Sequence, residues 1–375
     1  MSLRIAGAGW ITPLGRGVKN VWERLLRGEE AVAQTISEAL EKKKYPVFPV
    51  PSDALKDLPP HSRLRRASAI SRFAAAAGLD ALADSGMKID AEISNRMALV
   101  FAVSNGGVIY TKRFYHDVVT SGAQSASPLL FPETVFNAPA SHLAAILGIT
   151  GASYTLVGDG AVGILAIKMA ADLMENETLD YCLVVGAEEA DWLLCDAYHR
   201  WRLLKSKPPI EPFHEPPRGM ILSEGAGAVL LAREGAVEID KIHPGANFSR
   251  REKASEQMTR ILSDLAAAKA EMIIASANGT FVDLAERNAV LHEMPEAVVY
   301  APKPALGESV GPSSIWQVII AAQALRTKRL PPLLHANSKV ALHVSGPAGE
   351  KISAPSAIVL SCSVNQQMAG LRLSI

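Results

Sequence analysis

Apolar and polar positions along the chain form blocks that predict strands and helices in alternation. Largely apolar runs of five to nine residues predict strands: LRIAGAGWI (3–11), MALVFAVS (97–104), SYTLV (153–157), YCLVVGAEE (181–189), GAGAVLLAR (225–233), EMIIASA (271–277), AVVYA (297–301) and SAIVLSCSV (356–364). Between them, apolar residues at helical spacing predict helices: SRFAAAAGLDALADSG (71–86), AVGILAIKMAADLMEN (161–176), ASEQMTRILSDLAAAKA (254–270) and SIWQVIIAAQALRTK (314–328).

Several of the predicted strands are apolar throughout, which is typical of a sheet with helices on both faces. The alternation of such strands with helices predicts an α/β fold. A polar turn near Arg233–Glu238 predicts a boundary between residues 1–235 and 236–375, and each part has its own strand–helix alternation. The Pro-rich segment KSKPPIEPFHEPPRG (205–219) predicts a surface loop within the first part.

Composition excludes several classes of protein. The 375 residues include 38 basic and 38 acidic side chains, so we expect neither nucleic acid nor an acidic membrane as a partner. The three cysteines cannot form a disulfide framework and have no nearby histidine, and we therefore expect no metal site and no cofactor. No apolar stretch is long enough to span a bilayer, and we expect a cytoplasmic protein.

The turn GDGAVG (158–163), between a predicted strand and a predicted helix, has two interpretations. A dinucleotide-binding turn would present helix N–H groups to a pyrophosphate. Against this, about 150 residues precede the turn, and the acidic pair Glu188 and Glu189 comes late for a ribose contact. A nucleophile elbow would present a reactive side chain on the same sharp turn, and Gly160 would then occupy the place of the nucleophile.

Ordered motifs along nearly the whole chain resemble those of β-ketoacyl synthases. In the first half these are IAGAGWITPLGRGVKNVWERLLRGEEAV (5–32), RRASAISRFAAAAGLDALADSG (65–86), SPLLFPETVFNAPASHLAAILGITGASYT (127–155) and PFHEPPRGMILSEGAGAVLL (212–231). In the second half they are ANGT (277–280), KPALGESVG (303–311) and ALRTKRLPP (324–332). The resemblance implies the thiolase fold, in which two similar α/β halves form five layers, αβαβα.

The same resemblance implies a site whose reactive side chains are replaced. In active ketosynthases an elbow cysteine takes an acyl group from a carrier protein, and two histidines stabilise the enolate of the extender unit. The cysteine position falls here on Gly160, and the histidine positions fall on Asn278 and Glu308, while the family's lysine is retained as Lys303. SVNQQMAG (363–370) replaces the glycine-rich gating loop. We therefore expect the condensing activity to be lost.

These replacements favour a catalytically silent ketosynthase homologue, similar to chain-length-factor-type subunits. Such a subunit would pair with an active ketosynthase in fatty-acid, polyketide or polyene biosynthesis and would shape the acyl-chain tunnel. The implied partners are the active ketosynthase, or a second copy of this chain, and an acyl carrier protein.

Two alternatives remain open from the residues alone. A thioester hydrolase or decarboxylase would use Asp159, Asn278 or Glu308. Glu308 could be its general base if it were buried with a raised pKa. In the structural interpretation, Asp159 caps the following helix, and Glu308 pairs with Lys303 or with another cation. The second alternative is a homodimeric scaffold that binds acyl chains without any chemistry.

Overall fold

The structure is a computed structural model that describes residues 2–38, 42–65, 67–175, 178–266 and 272–375. The strands are β1 (Arg4–Thr12), β2 (Gly15–Arg16), β3 (Gln34–Ser37), β4 (Lys44–Phe48), β5 (Met97–Val103), β6 (Ser153–Val157), β7 (Tyr181–Glu188), β8 (Leu222–Ser223), β9 (Gly225–Ala232), β10 (Val237–Ile242), β11 (Ala246–Asn247), β12 (Met272–Ile274), β13 (Val298–Tyr300), β14 (Arg329–Leu330), β15 (Glu350–Lys351), β16 (Ser356–Cys362) and β17 (Gln367–Ser374). The helices are α1 (Val18–Leu26), α2 (Ala69–Ser85), α3 (Ala91–Asn95), α4 (Val108–Ser121), α5 (Ala138–Leu147), α6 (Val162–Leu173), α7 (Trp192–Arg200), α8 (Ala254–Leu265), α9 (Phe281–Glu293), α10 (Lys303–Leu306) and α11 (Ser313–Thr327).

The large mixed sheet is built from the same strand arrangement used twice. In the first half the strand order is β6–β5–β7–β9–β1, and in the second half it is β13–β12–β16–β17–β10. In each half the first two pairings are parallel and the last two are antiparallel. The halves join where β1 pairs antiparallel with β10, with Arg4 opposite Glu238.

Helices cover both halves of this sheet and also lie between them. Helices α2 and α5 pack on the outer face of the first half, and α8 and α9 pack on the outer face of the second. Helices α6 and α11 contact each other and contact strands of both halves. This order of layers is the αβαβα arrangement that the thiolase fold requires.

Burial on both faces explains the continuous apolar runs of the sequence. All seven residues of β5 and all seven of β16 are buried. Cys182 and Cys362 belong to such strands and are buried, as their positions in apolar runs predict. Cys195 is also fully buried, in α7. The Pro-rich segment 205–219 has no regular structure, but Ile210 and Phe213 anchor it in the core.

Most predicted elements are present, with shifted ends. The predicted helix 71–86 begins earlier, at Ala69, because Ser68 caps it by accepting a hydrogen bond from Ser71 N at 3.1 Å. Parts of three other predicted elements, residues 176, 267–270 and 271, lie outside the described residues. The pattern did not predict α4, α9, β10 or β17. We propose to retain the division into residues 1–235 and 236–375, since β9 ends at Ala232 and β10 begins at Val237.

Candidate functional site

The turn between β6 and α6 is the centre of the candidate site. Strand β6 ends at Val157 and α6 begins at Val162, so that Gly160 lies on a short turn between them. A Cβ atom built on Gly160 would have Ser363 Oγ, at 3.6 Å, as its nearest neighbour, which is an ordinary van der Waals distance. The position therefore has space for a side chain, but the sequence supplies none.

The backbone N–H groups of this turn already donate to groups of the same chain. Asp159 N donates to Gln367 Oε1 at 3.0 Å, and Ala161 N donates to Ser363 Oγ at 2.8 Å. Val162 N donates to the carbonyl oxygen of Asp159 at 2.7 Å. A pyrophosphate or an oxyanion at this turn would have to displace these acceptors. The geometry therefore disfavours the dinucleotide interpretation.

Asp159 is buried beside the turn, with 7% of its surface exposed. Its carboxylate accepts hydrogen bonds from the backbone N–H groups of Asn365, at 2.7 Å, and of Gly160. Burial raises the pKa of Asp159 to about 6, although these two bonds oppose the shift. The predicted capping role of its side chain is wrong, because α6 has no side-chain cap and the carboxylate turns toward the β16–β17 hairpin.

Asn278, Lys303 and Glu308 meet in one buried hydrogen-bonded group. Asn278 follows β12, whereas Lys303 and Glu308 lie on α10 and just after it. Asn278 Nδ2 donates to Glu308 Oε2 at 2.8 Å, and Lys303 Nζ donates to the same oxygen at 2.6 Å. None of the three residues is more than 4% exposed. The chain thus brings together the two positions that the resemblance assigns to histidines and the lysine that it assigns as retained.

The other oxygen of Glu308 is also fully engaged. Ser313 Oγ donates to Glu308 Oε1 at 2.7 Å, and Val310 N donates to it at 3.1 Å. Burial alone would raise the pKa of Glu308, but the Lys303 charge and the hydrogen bonds outweigh it and hold the pKa below its usual value. The predicted pairing with Lys303 is confirmed. The raised pKa that a general base at Glu308 requires is absent, which disfavours that role.

Electrostatics connect the turn to this group. The charge of Glu308 raises the pKa of Asp159, and the charge of Lys303 lowers it. The segment 363–370 joins the same site, although only 363–366 form a loop, because β17 begins at Gln367. Through Asn365 and Gln367 this segment fixes the turn by the two hydrogen bonds described above.

The sequence-based prediction of the site missed three side chains near the turn. Tyr198 and Trp201, at the end of α7, line a cleft of about 410 Å³ together with Asp159. Glu188, at the end of β7, is buried and has its pKa raised to about 8 by burial. The acidic pair that follows the apolar run YCLVVGA was a visible signal for Glu188, but nothing local marks Tyr198 and Trp201 as site residues.

Within the described residues, no group of three or more His, Cys, Asp or Glu side chains is arranged to hold a metal ion. No helix in the described part of the chain is long and apolar enough to cross a membrane.

Comparison with known proteins agrees with the fold. Residues 2–236 match the family model described as "Beta-ketoacyl synthase, N-terminal domain". The 3-oxoacyl-[acyl-carrier-protein] synthase 2 of Staphylococcus aureus is 22% identical over 364 residues, covering 88% of this chain and 90% of the relative.

Solved structures give the same result. A β-ketoacyl synthase from Burkholderia phymatum superposes with a TM-score of 0.88 at 18% identity, covering 100% of this chain and 99% of the other. A ketosynthase in complex with its chain length factor from Xenorhabdus doucetiae gives a TM-score of 0.82 at 18% identity, covering 100% and 98%. The predicted thiolase-like ketosynthase fold is thereby confirmed.

Proposed function

Because this chain belongs to the β-ketoacyl synthase family, we propose that it is a non-condensing member that pairs with an active ketosynthase subunit. In this role it shapes the tunnel for the growing acyl chain in fatty-acid, polyketide or polyene biosynthesis, while an acyl carrier protein docks on the pair. The turn at Gly160 carries the proposal, since it combines a missing nucleophile with N–H groups that are already engaged.

The chemistry of condensation finds no support at this turn. A glycine cannot form an acyl-enzyme, and an oxyanion is stabilised only by donors that are free to point at it. Ala161 N is directed to Ser363 Oγ at 2.8 Å, so a thioester oxygen would compete with a hydrogen bond of good geometry. Acyl transfer at this position therefore lacks both of its requirements.

The former histidine positions point in the same direction. An enolate is stabilised by hydrogen-bond donors and positive charge. Lys303 is the cation of this group, but Glu308 Oε2 accepts from it at 2.6 Å and neutralises it. Asn278 Nδ2 also donates to that oxygen. The group is a closed ion pair in which Lys303 and Asn278 both donate to one carboxylate oxygen, which suits a structural role.

Apolar side chains that are exposed in the single chain support the proposal that a partner subunit covers them. Among the described strands, β6 pairs only with β5 and forms the outer edge of the sheet, where Tyr154 is 43% exposed and Val157 is 52% exposed. Helix α4 has no buried residue in spite of its aromatic side chains, and Tyr115 and Val119 on it are about two-thirds exposed, at 66% and 65%. Exposed apolar edges of this kind are typical of surfaces that another subunit covers.

One observation favours a second candidate, a thioester hydrolase or decarboxylase based on Asp159. A carboxyl group with a pKa of about 6 is ionised at neutral pH and can act as a general base. Asp159 also lines the cleft above the turn. This candidate places the reaction on Asp159 alone, because Glu308 is held as an ionised partner of Lys303.

Native mass spectrometry tests these proposals. The chain would be analysed alone and after co-expression with the ketosynthase encoded beside it, each with acyl- and malonyl-loaded carrier protein. We expect a one-to-one heterodimer in which acyl mass appears on the partner only. A homodimer that ignores the ketosynthase, or acyl mass on this chain, would contradict the proposal. Release of free acid that Asp159→Asn abolishes would establish the hydrolase instead.

A matched pair of variants locates the partner surface. Val157→Lys places a charge on the outer edge of β6, whereas Val32→Lys places one on a valine that is 82% exposed and lies outside that edge. We expect Val157→Lys to weaken the heterodimer by about tenfold or more, because a charge in the apolar centre of an interface must be desolvated. Val32→Lys should leave it unchanged. Equal effects of the two would exclude the β6 edge as the contact.

A further inference from the structure

The cleft above the turn combines one buried acid with an aromatic wall. Its volume is about 410 Å³, and Asp159, Tyr198 and Trp201 all line it. The neutral side chains of Asn365 and Gln367 complete it on the hairpin side. Nothing in the proposed pairing with a ketosynthase uses this combination.

The carboxylate of Asp159 has no counter-ion among the described residues. Two backbone N–H groups donate to it, from Gly160 and Asn365, and a carboxylate has about four acceptor positions. Lys303 is the cation whose charge reaches Asp159, but Glu308 binds it directly at 2.6 Å. A buried carboxylate without a partner is unfavourable, and a ligand that brings a positive charge would relieve that cost.

The aromatic wall suits the same kind of ligand. The rings of Tyr198 and Trp201 are 5.5 Å apart and nearly perpendicular, at 89°. Trp201 is 56% exposed, so that part of its face is free. Tryptophan is the side chain that attracts cations best through its ring. Val157 and Leu194 add apolar surface to the cleft.

We propose that this cleft binds a primary ammonium group carried on a short apolar chain, with the ammonium between Asp159 and the ring of Trp201 and the chain along Leu194 and Val157. A ligand that ends in a carboxylate is excluded by the charge of Asp159. The cleft thus selects an amine, a class of ligand that the proposed role in acyl-chain synthesis does not require.

The groups that surround the cleft predict how binding depends on pH. The hairpin residues 363–367 and the loop 104–107 contain no titratable side chain. Tyr198 stays neutral because its pKa is raised, first by burial, and Glu188 keeps its proton at neutral pH, since burial raises its pKa to about 8. Lys303 and Glu308 neutralise each other. Asp159, with its pKa raised to about 6, is left to titrate, and an ammonium ligand should bind more weakly at pH 5 than at pH 7.5.

Isothermal titration calorimetry of the full chain tests the proposal with three probes of equal chain length: n-hexylammonium, 1-hexanol and hexanoate. At pH 7.5 we expect the ammonium to bind at least about tenfold more tightly than the alcohol, as a charge-assisted hydrogen bond provides, and hexanoate not to bind. Asp159→Asn should remove the difference between ammonium and alcohol. Asp172→Asn, a matched change of an acid on α6 outside this cleft, should preserve it.

Three outcomes would overturn the proposal: equal affinity for ammonium and alcohol, an affinity for ammonium that survives Asp159→Asn, or no weakening at pH 5. If Asp159→Asn fails to fold, the exposed position of Trp201 offers a second variant. Trp201→Ala should weaken binding of the ammonium by several-fold more than binding of the alcohol. An equal loss for both probes would show that the ring supplies apolar surface only and would refute the cation site.

Discussion

The two halves of the sheet end in equivalent strands, β6 and β13, but only one of these edges is covered. Along β13, Val299 N donates to His343 O at 2.8 Å, and Ser345 N donates to Val299 O at 3.0 Å, so that a following segment closes the edge. Along β6, Tyr154 and Val157 stay largely exposed. One arrangement of strands therefore gives a closed edge in the second half and an edge open to a partner in the first.

The segments that follow these two strands differ in the pKa of the carboxyl group that each one buries. Each buries a carboxyl group, Asp159 after β6 and Glu308 after β13. Burial raises the pKa of Asp159 to about 6, whereas the pKa of Glu308 is lowered because the Lys303 charge and the hydrogen bonds to Glu308 together outweigh its burial. Both carboxyls are buried, so the difference between the two pKa values comes from the counter-ion and the side-chain hydrogen bonds that Glu308 has and Asp159 lacks.

Removing the counter-ion is the strongest way to break this contrast. Lys303→Met leaves Glu308 buried without a cation and should lower the free energy of unfolding by about 3–5 kcal/mol. Chemical denaturation measures the loss, with Lys339→Met, at an exposed lysine, as the matched control. The double variant Lys303→Met/Glu308→Gln should recover part of the loss. If the single variant costs less than about 1 kcal/mol, the pair is not what holds Glu308 ionised.

The pH dependence of stability sharpens the contrast. Between pH 4 and pH 6 folded Asp159 keeps a proton that the unfolded chain releases, so its contribution to the free energy of unfolding falls as pH rises. A pKa raised from 3.8 to about 6 corresponds to about 3 kcal/mol. The stability of the wild type relative to Asp159→Asn should therefore decline by up to about 3 kcal/mol from pH 4 to pH 7.

Glu308 provides the control of opposite sign. Its lowered pKa stabilises the folded state above the unfolded pKa, and this stabilisation is lost as pH falls through the folded pKa. From pH 4 to pH 7, the stability of the wild type relative to Glu308→Gln should therefore rise or stay level, whereas its stability relative to Asp159→Asn falls. Denaturation curves at pH 4, 5, 6 and 7 measure both differences. Parallel pH dependences would refute the assignment of opposite environments.

The sequence predicts the strands and helices of this molecule better than the contacts of its candidate site. Apolar runs such as MALVFAV predict strands because burial on both faces leaves no polar alternation. Strand β17 was missed because its residues match neither period clearly, and its pairing with β16 and β10 decides its structure. Helix α4 was missed because its pattern lacks an apolar face, and none of its residues is buried in the single chain.

Within the site, features formed by neighbours in sequence could be predicted, whereas contacts between residues far apart in sequence could not. The turn at Gly160 and the pairing of Glu308 with Lys303 involve neighbours in sequence, and both follow from the motifs. The contact of Asp159 with Asn365 joins residues 206 positions apart, and no pattern near Asp159 announces it. This contact turns the carboxylate toward the β16–β17 hairpin, which explains why the side-chain capping of α6 was predicted wrongly.

The smallest expected effect on the free energy of unfolding comes from replacing Gly160, which has free space beside it, and it is compared with replacing Gly163, which is tightly packed. A Cβ on Gly163 would lie 2.6 Å from Ser314 Oγ and 2.7 Å from Ile315 Cγ1, so Gly163→Ala should cost about 1–3 kcal/mol through overpacking. Gly160→Ala meets nothing closer than 3.6 Å and should change the free energy of unfolding by less than about 0.5 kcal/mol. Denaturation midpoints measure both. A costly Gly160→Ala would mean that the turn requires glycine for its own geometry, and the missing nucleophile would then be a structural necessity.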